Sequence, residues 1–517
     1  MANSKYEYVK SFEVADEIMF PNLIVLKVDG CDFRRLSKVH GFEKPSDERA
    51  LRLMNSCAIA VIGEFPDIVF AYGFSDEYSF ILKRTTQLYQ RRASKVLSLA
   101  VSFFASNFVT KWREFFPHAE LQYPPSFHGC VSSCASVECL QAYLAWRQCE
   151  CHITNQYDTC FWMLVKFGKT EKEACEILKN TQKYEKHELL FHKFGLNYKD
   201  LPPIFRQGSC VVKRESEEIA KCRPNGAPIL RVRRIPAILH AENIAGRSFW
   251  TEHSLLHKEL GDFVNNVSNV KKELIRSFTF ENQLMPATWI VVRIDGCHFH
   301  RFSEIHNFEK PNDMNALSLM NSCAMAVLEN FSDVSFAYGV SDEYSFVLKK
   351  DSQLYHRRSS KIVSVIVSFF SSMYVMKWKT FFPQIELKYP PSFDGRTVCY
   401  PSSNILKDYL CWRQVDCHIN TQYNTCFWML VKSGKTKAEA QSILKGTQTS
   451  EKMELLKQQF GIDYCNLPEI FRNGSSVYRS KATRVDADSS ESSGTVILET
   501  CNIIEPRFWE ANPNILE

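Results

Sequence analysis

Apolar residues along this chain gather into short runs with strand period and longer runs with helical period. Leu23 to Val28 is a near-continuous apolar run that stops at Asp29-Gly30, which predicts a buried strand closed by a turn. A helix is expected next, opened by Pro45-Ser46-Asp47 and carrying Leu51, Met54, Ala58 and Val61 on one stripe. Ile68 to Gly73 and Tyr78 to Leu82 are β-rich runs around the tip Phe74-Ser75-Asp76-Glu77, the pattern of a hairpin. A long helix is expected from Leu88 to Trp112. After the stiff Pro124-Pro125, helices are expected around Trp146-Arg147-Gln148, 170–181 and 185–194, and strand-like residues return near 204–212. The apolar stretches 96–109 and 362–376 contain serine and fall short of the roughly 20 residues that span a bilayer, so they read as buried helices.

The whole order is laid down twice. Ser75-Asp76-Glu77-Tyr78-Ser79-Phe80 returns as Ser341-Asp342-Glu343-Tyr344-Ser345-Phe346, an offset of 266 residues (342 − 76). The same offset carries Asp29-Gly30 to Asp295-Gly296, Trp146-Arg147-Gln148 to Trp412-Arg413-Gln414, and His152 to His418. The expected organisation is copy one at 1–254, a linker at 255–277 and copy two at 278–517. The copies diverge near their ends: Arg231-Val232-Arg233-Arg234 in copy one stands against the acidic, serine-rich 485–494 in copy two, expected as a mobile loop.

Composition narrows the picture a little. A net charge of +5 over 517 residues does not argue for nucleic acid by itself. The 19 cysteines are scattered and no secretory segment opens the chain, which points to unpaired thiols in a reducing compartment, nucleus or cytoplasm. Cys149, Cys151 and His152 do not make a zinc pattern, since Val415 replaces Cys149 in copy two.

The chemistry sits on the repeated elements. Asp29 at a strand end and Asp76 at a hairpin tip converge if their strands are neighbours, and the same holds for Asp295 and Asp342. Two hard oxygen donors beside solvent suit Mg²⁺, with substrate phosphates completing the shell. Gly30 and Gly296 let the backbone approach, so a carbonyl could join. Glu77 and Glu343 are further candidates at the catalytic carboxylate cluster. Arg91, Arg92 and Lys95, with Arg357, Arg358 and Lys361, are expected on one face of the long helix as a phosphate-binding surface; Lys44 and Lys310 are weaker candidates. His152 and Asn155, with His418, Asn420 and Asn424, fall in a repeated polar stripe that reads either as a binding surface or as satisfied core residues. Nothing here matches a nucleophile–histidine–acid triad or a glycine-rich phosphate loop.

These residues resemble the tRNA-His guanylyltransferase family over nearly the whole of both copies. Copy two carries Asp295-Gly296-Cys297-His298-Phe299-His300, Lys310-Pro311-Asn312-Asp313, Tyr389-Pro390-Pro391-Ser392-Phe393-Asp394-Gly395-Arg396 and Asp408-Tyr409-Leu410, which fit the family's signatures throughout. Copy one departs at Arg34, Ser46, His128-Gly129-Cys130, Ala142 and Asp158. The resemblance implies an α/β fold: two tandem polymerase-palm-like domains of antiparallel sheet packed with helices, each with an extra helical C-terminal segment. It implies addition of a guanosine nucleotide to the 5′ end of tRNA-His in the 3′–5′ sense, with ATP activating the 5′-phosphate and GTP supplying the nucleotide. Two Mg²⁺ per site would be held by Asp29, Gly30 and Asp76, and by Asp295, Gly296 and Asp342. GTP would be cradled by Asp29, Gly30, Cys31, Asp32, Phe33 and Arg34 with Ser75, and by Asp295 to His300 with Ser341. Family members assemble as tetramers of single units, which a dimer of this fused chain would mimic. The rival readings are a palm-type nucleotide cyclase and a tRNA-binding protein that has lost catalysis.

Overall fold

The hydrophobic runs form strands and the helical stripes pack over them. In copy one the order is β1 (Leu23–Cys31), α1 (Phe33–Val39), α2 (Glu48–Glu64), β2 (Ile68–Phe74), β3 (Glu77–Leu82), α3 (Ala93–Phe115), β4 (Ser126–Cys134) and α4 (Val137–Lys166), closing with β5 (Ser209–Cys222) and β6 (Pro228–Leu239). The computed structural model describes residues 4–222, 228–261, 277–480 and 495–516. The expected mobile loop at 485–494 and most of the expected linker lie outside them.

Copy two repeats the plan with β8 (Trp289–Gly296), β9 (Val334–Val340), β10 (Glu343–Leu348), β11 (Phe393–Tyr400), β12 (Ser475–Arg479) and β13 (Val496–Glu499). The sheets run β6-β5-β2-β3-β1-β4-β7 and β11-β8-β10-β9-β12-β13, where β7 is Thr279–Phe280. All described pairings are antiparallel. This is the expected class, an antiparallel sheet packed with helices and built twice.

Strand period assigns each face. From β3, Tyr78 turns toward α2, where its hydroxyl donates to Asn55 Oδ1 at 2.5 Å and Asn55 in turn donates to Ser209 at 3.0 Å. Ser79 turns the other way and bonds the Tyr143 hydroxyl on α4 at 2.8 Å. Copy two reproduces both contacts: Tyr344–Asn321–Ser475 on one face, and Ser345–Tyr409 on the other. Asp47 caps α2 by accepting from the Arg49 and Ala50 N–H groups. The apolar stretches in α3 and in Ser359–Phe381 are mostly buried, as expected. Beyond α4, Cys160, Leu164, Ala174, Leu178, Leu190 and Tyr198 form a satellite core, the extra helical segment, repeated at Cys426 to Tyr464.

Two expectations change. The long helix begins at Ala93, because Tyr89, Gln90 and Arg91 take positive φ in a preceding turn. The compact units are Asp16–Glu281, and Met1–Ala15 with Asn282–Glu517. Residues 255–260 belong to copy one's core, since Leu256 and Leu260 pack within it. Residues 4–15 thus belong with copy two, and Thr279–Phe280 pair with β4 of copy one.

Candidate active site

The hairpin tip and the end of the first strand meet in both copies. Asp29 on β1 lies opposite Glu77 on β3, and the Gly30 N–H donates to the Asp76 carbonyl at 3.0 Å. In copy two Asp295 lies opposite Glu343, and the Gly296 N–H donates to the Asp342 carbonyl at 3.1 Å. Ser75 and Ser341 turn the tip with φ near +54° (53° and 54°), and each hydroxyl donates to the next aspartate at 3.0 Å. A Cβ on Gly30 would stand 2.3 Å from the Phe33 ring and 2.8 Å from Asp76 Oδ2, so the close approach requires glycine. Phe33 packs against Phe108 and Phe127, and Phe299 is buried, so within the expected cradle these two rings support the loop from below.

Crowded carboxylates set the electrostatics. Burial, with the charges of Asp29 and Glu77, pushes the Asp76 carboxyl up to about 7. Burial, with Asp342, Glu343 and Asp394, pushes Asp295 up to about 7. Asp29 and Asp342 are raised as well, chiefly by burial. Such a donor set, two hard oxygens beside an approachable backbone carbonyl, fits a divalent cation that would relieve the repulsion. Among the described residues no group of three or more His, Cys, Asp or Glu side chains could hold a metal by itself.

The two glutamates have partners of their own. Arg147, fully buried on α4, meets Glu77 at 2.6 Å, and Lys27 meets it at 2.7 Å. Burial opposes ionisation of Glu77, but Arg147 and Lys27 outweigh it and hold its carboxyl below the usual range. In copy two Arg413 Nε donates to Glu343 at 2.6 Å and Nη1 meets Asp416 at 3.2 Å. These arginines were legible only as part of the repeated Trp-Arg-Gln motif, without a role.

The expected phosphate face does not hold as drawn. Arg91 is 1 % exposed, and its guanidinium donates to the carbonyls of Ile18, Met19, Asn22 and Thr86. Arg357 does the same with Met285, Thr288, Lys350 and Ser352. Both are structural clamps, because the positive-φ turn that ends at them aims the side chain inward. Asn22 also precedes Asp29 by seven residues (29 − 22) along a continuous strand, about 23 Å. Within its unit, then, the start of α3 stands far from the acidic pair. Arg92 pairs with Asp16 at 3.8 Å, and Lys95 lies over the Tyr89 ring at 5.4 Å; Arg358 and Lys361 take the matching positions in copy two. Lys44 and Lys310 donate to Ser37 (3.0 Å) and Ser303 (2.6 Å), and Lys310 lies within electrostatic reach of Asp342.

In copy two the acidic pair opens into a cavity of about 370 Å³, lined by Asp295, Asn312, Ser341, Asp342, Glu343, Arg413, Asp416, Asn420, Thr421 and Asn424 among others. Residues 413, 416, 417, 420, 421 and 424 form one stripe of the helix Ser403–Lys432, so Asn420 and Asn424 line the same cavity as the carboxylates. His418 stands off that stripe, with Nδ1 3.4 Å from the Tyr464 hydroxyl. His152 is half-buried near Lys183 and Arg206, and burial lowers its pKa. Asn155 is corrected: its Oδ1 accepts from the buried Tyr198 hydroxyl at 3.0 Å, and copy two has Thr421 in its place. It therefore acts as a packing contact.

Comparison with known proteins now bears on this geometry. The tRNAHis guanylyltransferase family model matches residues 6–135 and again 272–401, and the Thg1 C terminal domain model matches 138–256 and 404–502. The chain belongs to the tRNA-His guanylyltransferase family. It is 65% identical over 517 residues to tRNA(His) guanylyltransferase 1 of Arabidopsis thaliana, covering all of this chain and 91% of that one. It is 63% identical to tRNA(His) guanylyltransferase 2 of the same plant, covering all of this chain and 99% of that one. A probable tRNA(His) guanylyltransferase of Dictyostelium discoideum is 48% identical over 253 residues, which is 48% of this chain but 99% of that protein. One unit here thus corresponds to a whole single-copy family member, and the departures of copy one from the family signatures take on a location. Asn312 and Asn424, which line the copy-two cavity, are Ser46 and Asp158 in copy one; Asp394, which acts on Asp295, is His128. Partial burial pushes the Asp158 carboxyl up to about 6, against the opposing charges of Lys44 and Arg34.

Proposed function

We propose that the protein adds a guanosine nucleotide to the 5′ end of tRNA-His in the 3′–5′ sense, after ATP activates the 5′-phosphate, with GTP as nucleotide donor. The observation that carries this reading is the copy-two cavity, where Asp295 and Asp342 converge with Asn420 and Asn424 in a chain of this family. Relatives matching the whole chain are named tRNA(His) guanylyltransferases, which supports the transfer of a guanosine nucleotide to that tRNA.

Asp29, Asp76 and the Gly30 carbonyl would hold Mg²⁺ in copy one, and Asp295, Asp342 and the Gly296 carbonyl in copy two. A divalent cation held by these residues would supply neutralisation of phosphate charge and a lowered pKa for an attacking oxygen. The chain's own residues prepare that site. Arg147 and Lys27 hold Glu77 below the usual carboxylate range, so its negative charge persists beside the aspartates of copy one, and Arg413 holds Glu343 in place by an ion pair at 2.6 Å. Ser75 and Ser341 orient the tip aspartates. Asn420 and Asn424 offer amide donors and acceptors to a base or ribose, and Lys310 places a cation near the incoming phosphates.

Incorporation of α-labelled GTP into a tRNA-His transcript, with ATP and Mg²⁺, tests the reading. The expected result is a product one nucleotide longer at its 5′ end, pyrophosphate release, and little incorporation into a different tRNA. Binding of tRNA-His with no incorporation would overturn it in favour of a binding protein.

A further inference from the structure

The first residues of the chain reach the copy-two site. Glu13 pairs with Arg293 at 3.0 Å and also with Arg396. These arginines are directly opposite each other on β8 and β11. Like charges facing across a sheet repel, so a carboxylate between them is needed to hold both. Arg293 precedes Asp295 by two residues and shares its face of the strand. The segment is firmly seated: Val9 is fully buried in the copy-two core, Phe12 packs on Tyr400, and the Tyr8 hydroxyl donates to Asp408 at 2.5 Å.

Copy one is built differently at the same positions. Arg293 becomes Lys27, Arg396 becomes Cys130 and Asp408 becomes Ala142, while Glu13 and Tyr8 become Thr279 and Leu274. Tyr8 and Glu13 therefore belong with the copy that offers Asp408 and Arg396, while copy one, which lacks both, meets Thr279 on its own sheet at the position matching Glu13. The substitutions are complementary in that arrangement only. Without the glutamate, Lys27 turns to the site itself, 3.4 Å from Asp29 and 2.7 Å from Glu77. In copy two, among the described residues, no ion pair within 4 Å is made to Asp295, and the Arg293 charge acts on it only as a minor influence behind burial and the neighbouring carboxylates.

We propose that residues 4–15 are a working part of the copy-two site, with Glu13 as a positioning residue that draws Arg293 away from Asp295 and leaves that carboxylate open to a divalent cation. In copy one Lys27 covers the matching carboxylate, so the two sites bind the cation unequally. The inference rests on the metal-site reading given under the proposed function.

The test is Mn²⁺ binding to the full-length chain by electron paramagnetic resonance, with Asp76→Ala present to silence copy one. Adding Glu13→Gln is expected to weaken binding about tenfold, as the released Arg293 turns toward Asp295. Glu13→Asp retains most of the affinity. Arg293→Met combined with Glu13→Gln restores it, which loss of a merely structural contact would not allow. In the converse background, Asp342→Ala, Lys27→Met tightens binding at copy one. Mn²⁺ binding that is indifferent to Glu13→Gln overturns this inference and leaves the metal site standing; a wild-type chain that binds no Mn²⁺ overturns both.

Discussion

Replacing Arg413 by methionine removes the ion-pair partner of Glu343 in a confined site. The Arg413 side chain is 7 % exposed and that of Glu343 16 %, so water cannot replace the lost partner well. With Nε 2.6 Å from Oε1, the charge centres lie about 4 Å apart, and an effective dielectric of about 20 gives an attraction of about 4 kcal/mol. Breaking a buried pair from one side costs about 3–5 kcal/mol for the same reason, since the remaining charge stays uncompensated. Arg413→Met is therefore expected to destabilise copy two by about 3 kcal/mol or more. Urea unfolding followed by tryptophan fluorescence measures this, with the copy-two transition moving to lower urea while that of copy one stays. Adding Glu343→Gln to Arg413→Met should recover at least half of the loss, because the orphaned charge is gone. A loss below about 1 kcal/mol, the scale of an exposed pair, or a double variant no better than the single, would refute the reasoning.

Four further outcomes follow from the same geometry. Gly30→Ala together with Gly296→Ala forces a methyl into the Phe33 and Phe299 rings, 2.3 Å and 2.4 Å away, and is expected to abolish nucleotide addition while the fold, followed by circular dichroism, persists. Tyr344→Phe strands the Asn321 carbonyl inside copy two and should cost about 1–3 kcal/mol in the same urea experiment. Arg91→Ala is expected to lower the melting temperature of copy one without weakening GTP binding, measured by calorimetry on the folded variant, since Arg91 clamps carbonyls. Finally, Asp76 and Asp295 are raised to about 7, so their contribution favours the folded state while they are protonated. It is complete below about 4, the unfolded value, and is lost as pH rises through 7. A divalent cation takes the deprotonated form, so the rise in melting temperature caused by Mg²⁺ should be small at pH 5.5 and large at pH 8.

The sequence made some of this plain and hid the rest for identifiable reasons. The hairpin and the Asp-Gly strand end were legible because strand period and turn residues are local signals, and the duplication showed which of them are kept. The partners of the glutamates were not legible: Arg147 and Glu77 meet across 70 positions (147 − 77), through helix packing that no local pattern encodes. The phosphate face failed because helical phase was carried back through Tyr89, Gln90 and Arg91, whose positive φ breaks it. Asn155 looked like a ligand until Tyr198, brought in by the satellite helices, occupied it. The seat of residues 4–15 was the least legible. Glu13 finds Arg396 far along the chain, and only the matched differences between the copies, read with the sheet register in hand, explain why.

The central claim is that the aspartate pairs formed where each hairpin tip meets the end of the first strand carry nucleotide addition. Single-turnover incorporation of GTP into tRNA-His by Asp76→Ala, Asp342→Ala and the double variant tests it most directly. The account predicts a deep loss with Asp342→Ala, a smaller loss with Asp76→Ala, and no incorporation with the double variant. Incorporation at the wild-type rate by the double variant would contradict it.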